Sequence, residues 1–259
     1  MAAPLLDTFS FQSAINQFFH SLSLCTCLFL FSNVVGAATA STTAPPATPS
    51  PARIIYQQDF RKLSGEARQT LTERGLTLKK DMLQSQNIHL QFSDRGLELE
   101  TRDEAFGLMV IRDLEINDAD TIQIEWGVDH YPEGADWENK INREAIMVYL
   151  FFGEPVAADK FYLPSTPYFI GFFLQEQPPS KEPKIGKNYK KTGRYLAIDS
   201  PSPGETIVST FAFRQPFKAW FGLDDVPPIT GIAIETDTTD LPTGVAQSFI
   251  ASINLLTLN

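Results

Sequence analysis

Two carboxylates close together on one strand are the residue pattern with the most chemistry in this chain. Glu235 and Asp237 stand two apart in an alternating segment, so both fall on one face. Retaining glycosidases use two such groups about 5–5.5 Å apart. A third acid two residues further on would strengthen that reading, but position 239 is Thr and Asp240 falls out of phase. The alternative is a solvated strand end that leads into a turn. Asp237 and Asp240, with threonine hydroxyls between them, would also suit calcium, a hard cation that takes oxygen ligands, although the spacing matches no defined calcium loop.

A second group lies in one acidic stretch. Asp129-His130-Tyr131-Pro132 is followed by Trp137, between Asp136 and Glu138. An imidazole beside a carboxylate can act as a base. There is no Gly-x-Ser-x-Gly elbow and no second histidine at the spacing of a metal pair, so no nucleophile, metal site or cofactor is assigned. Trp126 alternates with Ile122 and Ile124 and is expected in the core. Trp137, in a loop between acids, is expected to be exposed. An exposed ring beside hydroxyl-accepting groups is one way to hold a sugar. Asp129, His130, Trp137 and Glu138 are therefore the candidate ligand-binding residues, against the alternative of an ordinary surface loop. Between Gln175 and Arg194, Lys181, Lys184, Lys187, Lys190, Lys191 and Arg194 face only Glu176 and Glu182. This stretch could meet phosphate-bearing glycans or lipid headgroups, or be the solvated tip of a long hairpin.

The elements that must position these residues are strands. Ile88, Leu90 and Phe92, Leu97 and Leu99, and Ile122 to Val128 alternate apolar with polar, the mark of strands with one wet face. Residues 145–152, 168–174 and 207–213 are apolar on both faces and predict central, doubly covered strands. Further strands are expected at 54–56, 106–112, 194–198, 229–236 and 248–255. No crossover helices separate them, which predicts an all-β antiparallel sandwich. Only one or two short helices qualify. One lies around Ser64 to Arg74, ended by Gly75. The other begins at Pro216, with Phe217, Trp220 and Phe221 on one face and Gly222 as its stop.

From Asp120 to Asn254 the chain resembles a bacterial exported family described only as a domain of unknown function. The resemblance rests on Ile124-Glu125-Trp126, on Ala145 to Phe152 with Tyr149, on Trp220-Phe221-Gly222 and on Thr236-Asp237-Thr238. It implies a jelly-roll fold similar to the concanavalin-type lectins and glucanases. The sequence departs from the family where paired aspartates would precede the long strand, at Asn142 and Arg143, and at Met147, where the family carries an arginine.

The chain has 259 residues, of which 43% are hydrophobic and 20% charged, and a net charge of −10. Such a balance excludes a nucleic-acid binder built on basic patches. Residues 1–40 read as a signal peptide, with an apolar run at 22–31 and small residues up to Ala38-Thr39-Ala40, although no Lys or Arg precedes the run. Cys25 and Cys27 both fall in this segment. Residues 41–52 form a Pro/Thr/Ala-rich linker, and 53–259 the sandwich domain. The expectation is an exported protein, periplasmic or extracellular, that touches membrane only through an uncleaved N-terminus. Its expected role is non-catalytic binding of a glycan or an anionic envelope component. A hydrolase using Glu235 and Asp237, or a structural module without a ligand, are the alternatives.

Overall fold

The computed structural model describes residues 52–84, 86–180 and 182–258. The signal-peptide reading and nearly all of the linker reading lie outside these residues. The elements are β1 (Arg53–Asp59), a short 3-10 turn, α1 (Ala67–Glu73), β2 (Thr77–Lys80), α2 (Asp81–Gln84), β3 (Ile88–Ser93), β4 (Gly96–Arg102), β5 (Phe106–Ile111) and β6 (Thr121–His130). They continue with β7 (Glu144–Val156), β8 (Thr166–Leu174), β9 (Gly193–Asp199), β10 (Ile207–Ala212), α3 (Arg214–Phe221), β11 (Ile229–Asp237) and β12 (Val245–Thr257).

Two six-stranded sheets form an all-β sandwich. The first runs β10-β6-β12-β4-β3. Its long β12 carries β6 along one edge, and on the other β4 at Val245–Ile250 and β1 at Ser252–Thr257. The second runs β2-β5-β11-β7-β8-β9. Apolar side chains from both inner faces, Trp126, Phe152, Phe172, Ile234 and Ile253 among them, form the core between the sheets. Trp126 is fully buried there, as its alternation predicts, and its Nε1 donates to Ser209 Oγ at 2.8 Å.

The structure corrects the sequence reading in four places. Every strand pair is antiparallel except β8–β9, which is parallel. Residues 175–192 are therefore a crossover and not a hairpin tip. Parallel strands need a connection of about a dozen residues or more, which this segment supplies with no helix among its described residues. Strand β10, expected at the centre, is an edge strand with Val208 exposed. Strand β2 escaped the pattern because Lys79, a charged residue, takes a buried place on it. Helix α3 begins two residues before Pro216, which a first turn tolerates because its N–H groups have no intrahelical partner.

The two outer faces differ. On the first sheet Gln57, Gln123, Glu125 and Asn254 face outward, and Asn254 links Gln57 to Gln123 through its side-chain amide. The outer face of the second sheet is apolar and covered. Leu108, Val110, Met147, Tyr149, Phe169, Phe173 and Tyr195 pack under Trp137, Leu163 and Tyr189 from three overlying loops. Room for these rings comes from glycines: a Cβ on Gly193 would lie 2.3 Å from the Phe169 ring, and one on Gly171 would meet Met147 Sδ at 2.6 Å.

Candidate functional site

The site is set by an irregularity in strand pairing. Glu235 of β11 faces Met147 of β7, but Asp237, two residues on, faces Glu144, three residues back. The extra residue on β7 reverses its alternation, as bulges do. Met147 and Tyr149 are on the covered outer face, so unbroken alternation would send Glu144 into the core between the sheets. With the bulge, Glu144 joins Glu235 on the outer face, and both are 3% exposed.

Four groups there form two hydrogen-bonded pairs. Trp137 Nε1 donates to Glu144 Oε2 at 3.1 Å, and Tyr149 Oη donates to Glu235 Oε1 at 2.7 Å. The two carboxyls are near enough for each to shift the proton affinity of the other. Burial pushes Glu144 well above the usual carboxylate range, and the negative charge of Glu235 pushes it further. Burial likewise pushes Glu235 up to about 8, with repulsion from Asp237 adding to it. Both carboxyls therefore keep their protons to higher pH than an exposed carboxylate does. Glu235 Oε2 is buried and has no hydrogen-bond partner among the described residues. Trp137 is fixed in addition by stacking on Phe173, with centroids 4.5 Å apart, and by the tilted ring of Tyr195 at 5.1 Å.

Beside these pairs is a cavity of about 310 Å³. Its buried lining is Pro132, Trp137, Glu144 and Leu174; Asp136, Arg143, Tyr131 and Gln175 are half-buried in it, and Glu138, Glu176 and Gln177 stand exposed. Lys184 Nζ of the crossover reaches Glu138 Oε1 at 2.5 Å, which ties the two loops together at this cavity. Glu235 and Asp237 are not among its lining residues.

The residues singled out from sequence are divided by the fold. Trp137 and Glu138 line this cavity. Asp129 lines a smaller cleft of about 160 Å³ on the outer face of the other sheet, where Arg95 grips it at 2.7 and 2.8 Å while covering the Phe249 ring. His130 is exposed at the end of β6. Trp137 is 8% exposed, which corrects the expectation of an open platform. Its acidic neighbours suggested solvent, but Phe173 and Tyr195, distant in sequence, supply an apolar seat. The calcium alternative is corrected too: Arg143 lies 3.5 Å from Asp237 and 2.9 Å from Asp240, so a guanidinium already holds the place of a cation. Glu144 was missed because period two places it in the core.

Among the described residues no three His, Cys, Asp or Glu side chains gather as metal ligands. No helix of the described residues is long and apolar enough to cross a membrane.

No family model matches the sequence, and no curated protein does. Solved structures do resemble the fold. The K2 cleaved adhesin domain of Lys-gingipain is 11% identical, with 77% of this chain and 98% of that one covered and a TM-score of 0.34. The carbohydrate recognition domain of Emp46p is 10% identical, covering 76% and 94% at 0.33. The non-crystalline cellulose specific module CBM28 is 10% identical, covering 71% and 87% at 0.31. Likeness at this level says nothing of what this chain binds.

Proposed function

We propose that this protein binds a carbohydrate in the cavity lined by Trp137, Glu138, Glu144 and Gln175, and does not cleave it. The observation that carries the reading is the composition of that cavity: buried apolar surface from Pro132, Trp137 and Leu174 lies beside carboxylates and amides at half-buried and exposed positions. Apolar surface suits the faces of a sugar ring, and carboxylates and amides suit its hydroxyls. Hydrolysis by Glu235 and Asp237 is supported less well, because neither lines the cavity. The apolar run at 22–31 and the proline-rich stretch after it support an exported domain tethered at the cell envelope.

The test is a glycan array on the whole protein, followed by calorimetry on Glu138→Ala and Gln175→Ala. Each variant should bind the selected glycan about 5- to 30-fold more weakly, the worth of one or two hydrogen bonds to sugar hydroxyls. Both should melt like the wild type, since Glu138 is exposed and its ion pair with Lys184 adds little stability. No bound glycan, or wild-type affinity in both variants, overturns the proposal, and turnover of the glycan would move it to hydrolysis. Trp137→Ala is no clean probe, because the indole is buried and its loss would unseat the loop.

A further inference from the structure

We propose that the loop at 157–165 and the adjoining turn at 186–192 form a tip that contacts anionic phospholipid bilayers. This is independent of the carbohydrate reading. Phe161 is fully exposed, at 101%, and Tyr162 is 61% exposed, so two adjacent aromatic side chains stand in water on a loop. The loop is pinned from below and from the side. Leu163 is buried against the covered sheet face, and its N–H donates to Lys160 O at 2.9 Å. Asp159 Oδ2 accepts from the Lys191 backbone N–H at 2.9 Å, and Lys160 Nζ donates to Asn188 Oδ1 at 3.3 Å.

These bonds bring a set of cations to the aromatic pair. Lys187, Lys190 and Lys191 are exposed on the turn that Asp159 and Lys160 grip, and Lys160 Nζ lies 5.7 Å from the Tyr162 ring. None of these four lysines forms an ion pair with a carboxylate among the described residues. In a chain with 31 acidic residues and a net charge of −10, a cluster of cations left without ion pairs selects an anionic partner. The rings select a bilayer over an anionic polymer. Phe161 and Tyr162 meet edge to face, at 86° and 5.5 Å, and so offer no flat platform for a sugar. Exposed aromatics enter the boundary between headgroups and acyl chains, where lysines reach the phosphates.

The test uses full-length Phe161→Trp, with vesicles of phosphatidylcholine alone or with about a third phosphatidylglycerol, the acyl chains brominated to quench tryptophan at the boundary. Beyond the quenching that wild type shows, the variant should gain quenching in the anionic vesicles and much less in the neutral ones. Adding Lys187→Glu, Lys190→Glu and Lys191→Glu should lower the partitioning of that signal about a hundredfold at physiological salt, from roughly a factor of five per lysine. Because the added tryptophan reports from the tip, contact through the N-terminal segment does not mimic it. No added quenching in anionic vesicles overturns the proposal, as does quenching indifferent to the lysines. Heparin binding that depends on the lysines, with no quenching by vesicles, would assign the patch to a soluble polyanion and overturn it as well.

Discussion

The raised carboxyls of Glu144 and Glu235 make stability depend on pH in an unusual direction. An unfolded chain releases the Glu235 proton near the ordinary value of 4.5, while the folded protein keeps it until about 8. Between those values the folded state binds more protons, so its stability falls as pH rises. The contribution is fully present below about 4.5 and lost by about 8, with a slope of about 1.4 kcal/mol per pH unit for one proton. Glu144, raised by burial, acts in the same direction. Carboxylates held low by their partners, such as Glu100 beside Arg102 and Asp136 beside Asn139, act oppositely and only at acid pH. Thermal melts should therefore show a lower Tm at pH 8 than at pH 5.5. Glu235→Gln, which carries the hydrogens without the charge, should flatten that slope and stabilise the protein at pH 8 by about 1–3 kcal/mol. A wild-type Tm that rises between pH 5.5 and 8 would refute the raised carboxyls.

Helix α3 closes one end of the sandwich. Phe217 is fully buried, 4.6 Å from the Phe152 ring and 4.7 Å from Phe221. Gly222 ends the helix at φ 65°, the left-handed conformation in which glycine carries no Cβ penalty, and its N–H reaches Lys218 O. Trp220 is half-buried, stacked on Phe211 at 5.9 Å, and its carbonyl accepts from Arg194 Nη2 at 2.6 Å. Phe217→Ala should cost about 3–5 kcal/mol in denaturant melts, as expected for a core aromatic. Trp220→Ala, which removes only partly buried surface, should cost about half as much or less. Equal losses would mean that both rings belong to the core. The spacing of these aromatics in the sequence already placed them on one helix face, and Phe217 of that face is fully buried.

At the scale of the molecule, one core joins the two sheets, and the loops that cover the outer face rest on side chains of the same strands. The three tryptophans sample these layers: Trp126 between the sheets, Trp137 in a covering loop and Trp220 on α3. We expect a single cooperative unfolding transition in which tryptophan fluorescence and far-ultraviolet dichroism coincide. A separate early fluorescence change, removed by Trp137→Phe, would show that the covering loop opens on its own.

The strands that the sequence determined are those whose alternation is local. Ile122, Ile124 and Trp126 on β6, and Leu97 and Leu99 on β4, state their inner face by spacing alone, because a strand's side chains alternate whatever its neighbours are. Glu235 and Asp237 were legible for the same reason, as two acids on one face. What pairs with what was not legible. Strand β10 lies at an edge, β9 runs parallel to β8, and Trp137 is buried, because each depends on residues far away in the chain. Glu144 is the clearest case: only the mismatch of β7 against β11 turns its carboxyl toward Glu235. A bulge is a property of two strands in register, and a single segment of sequence holds only one of them.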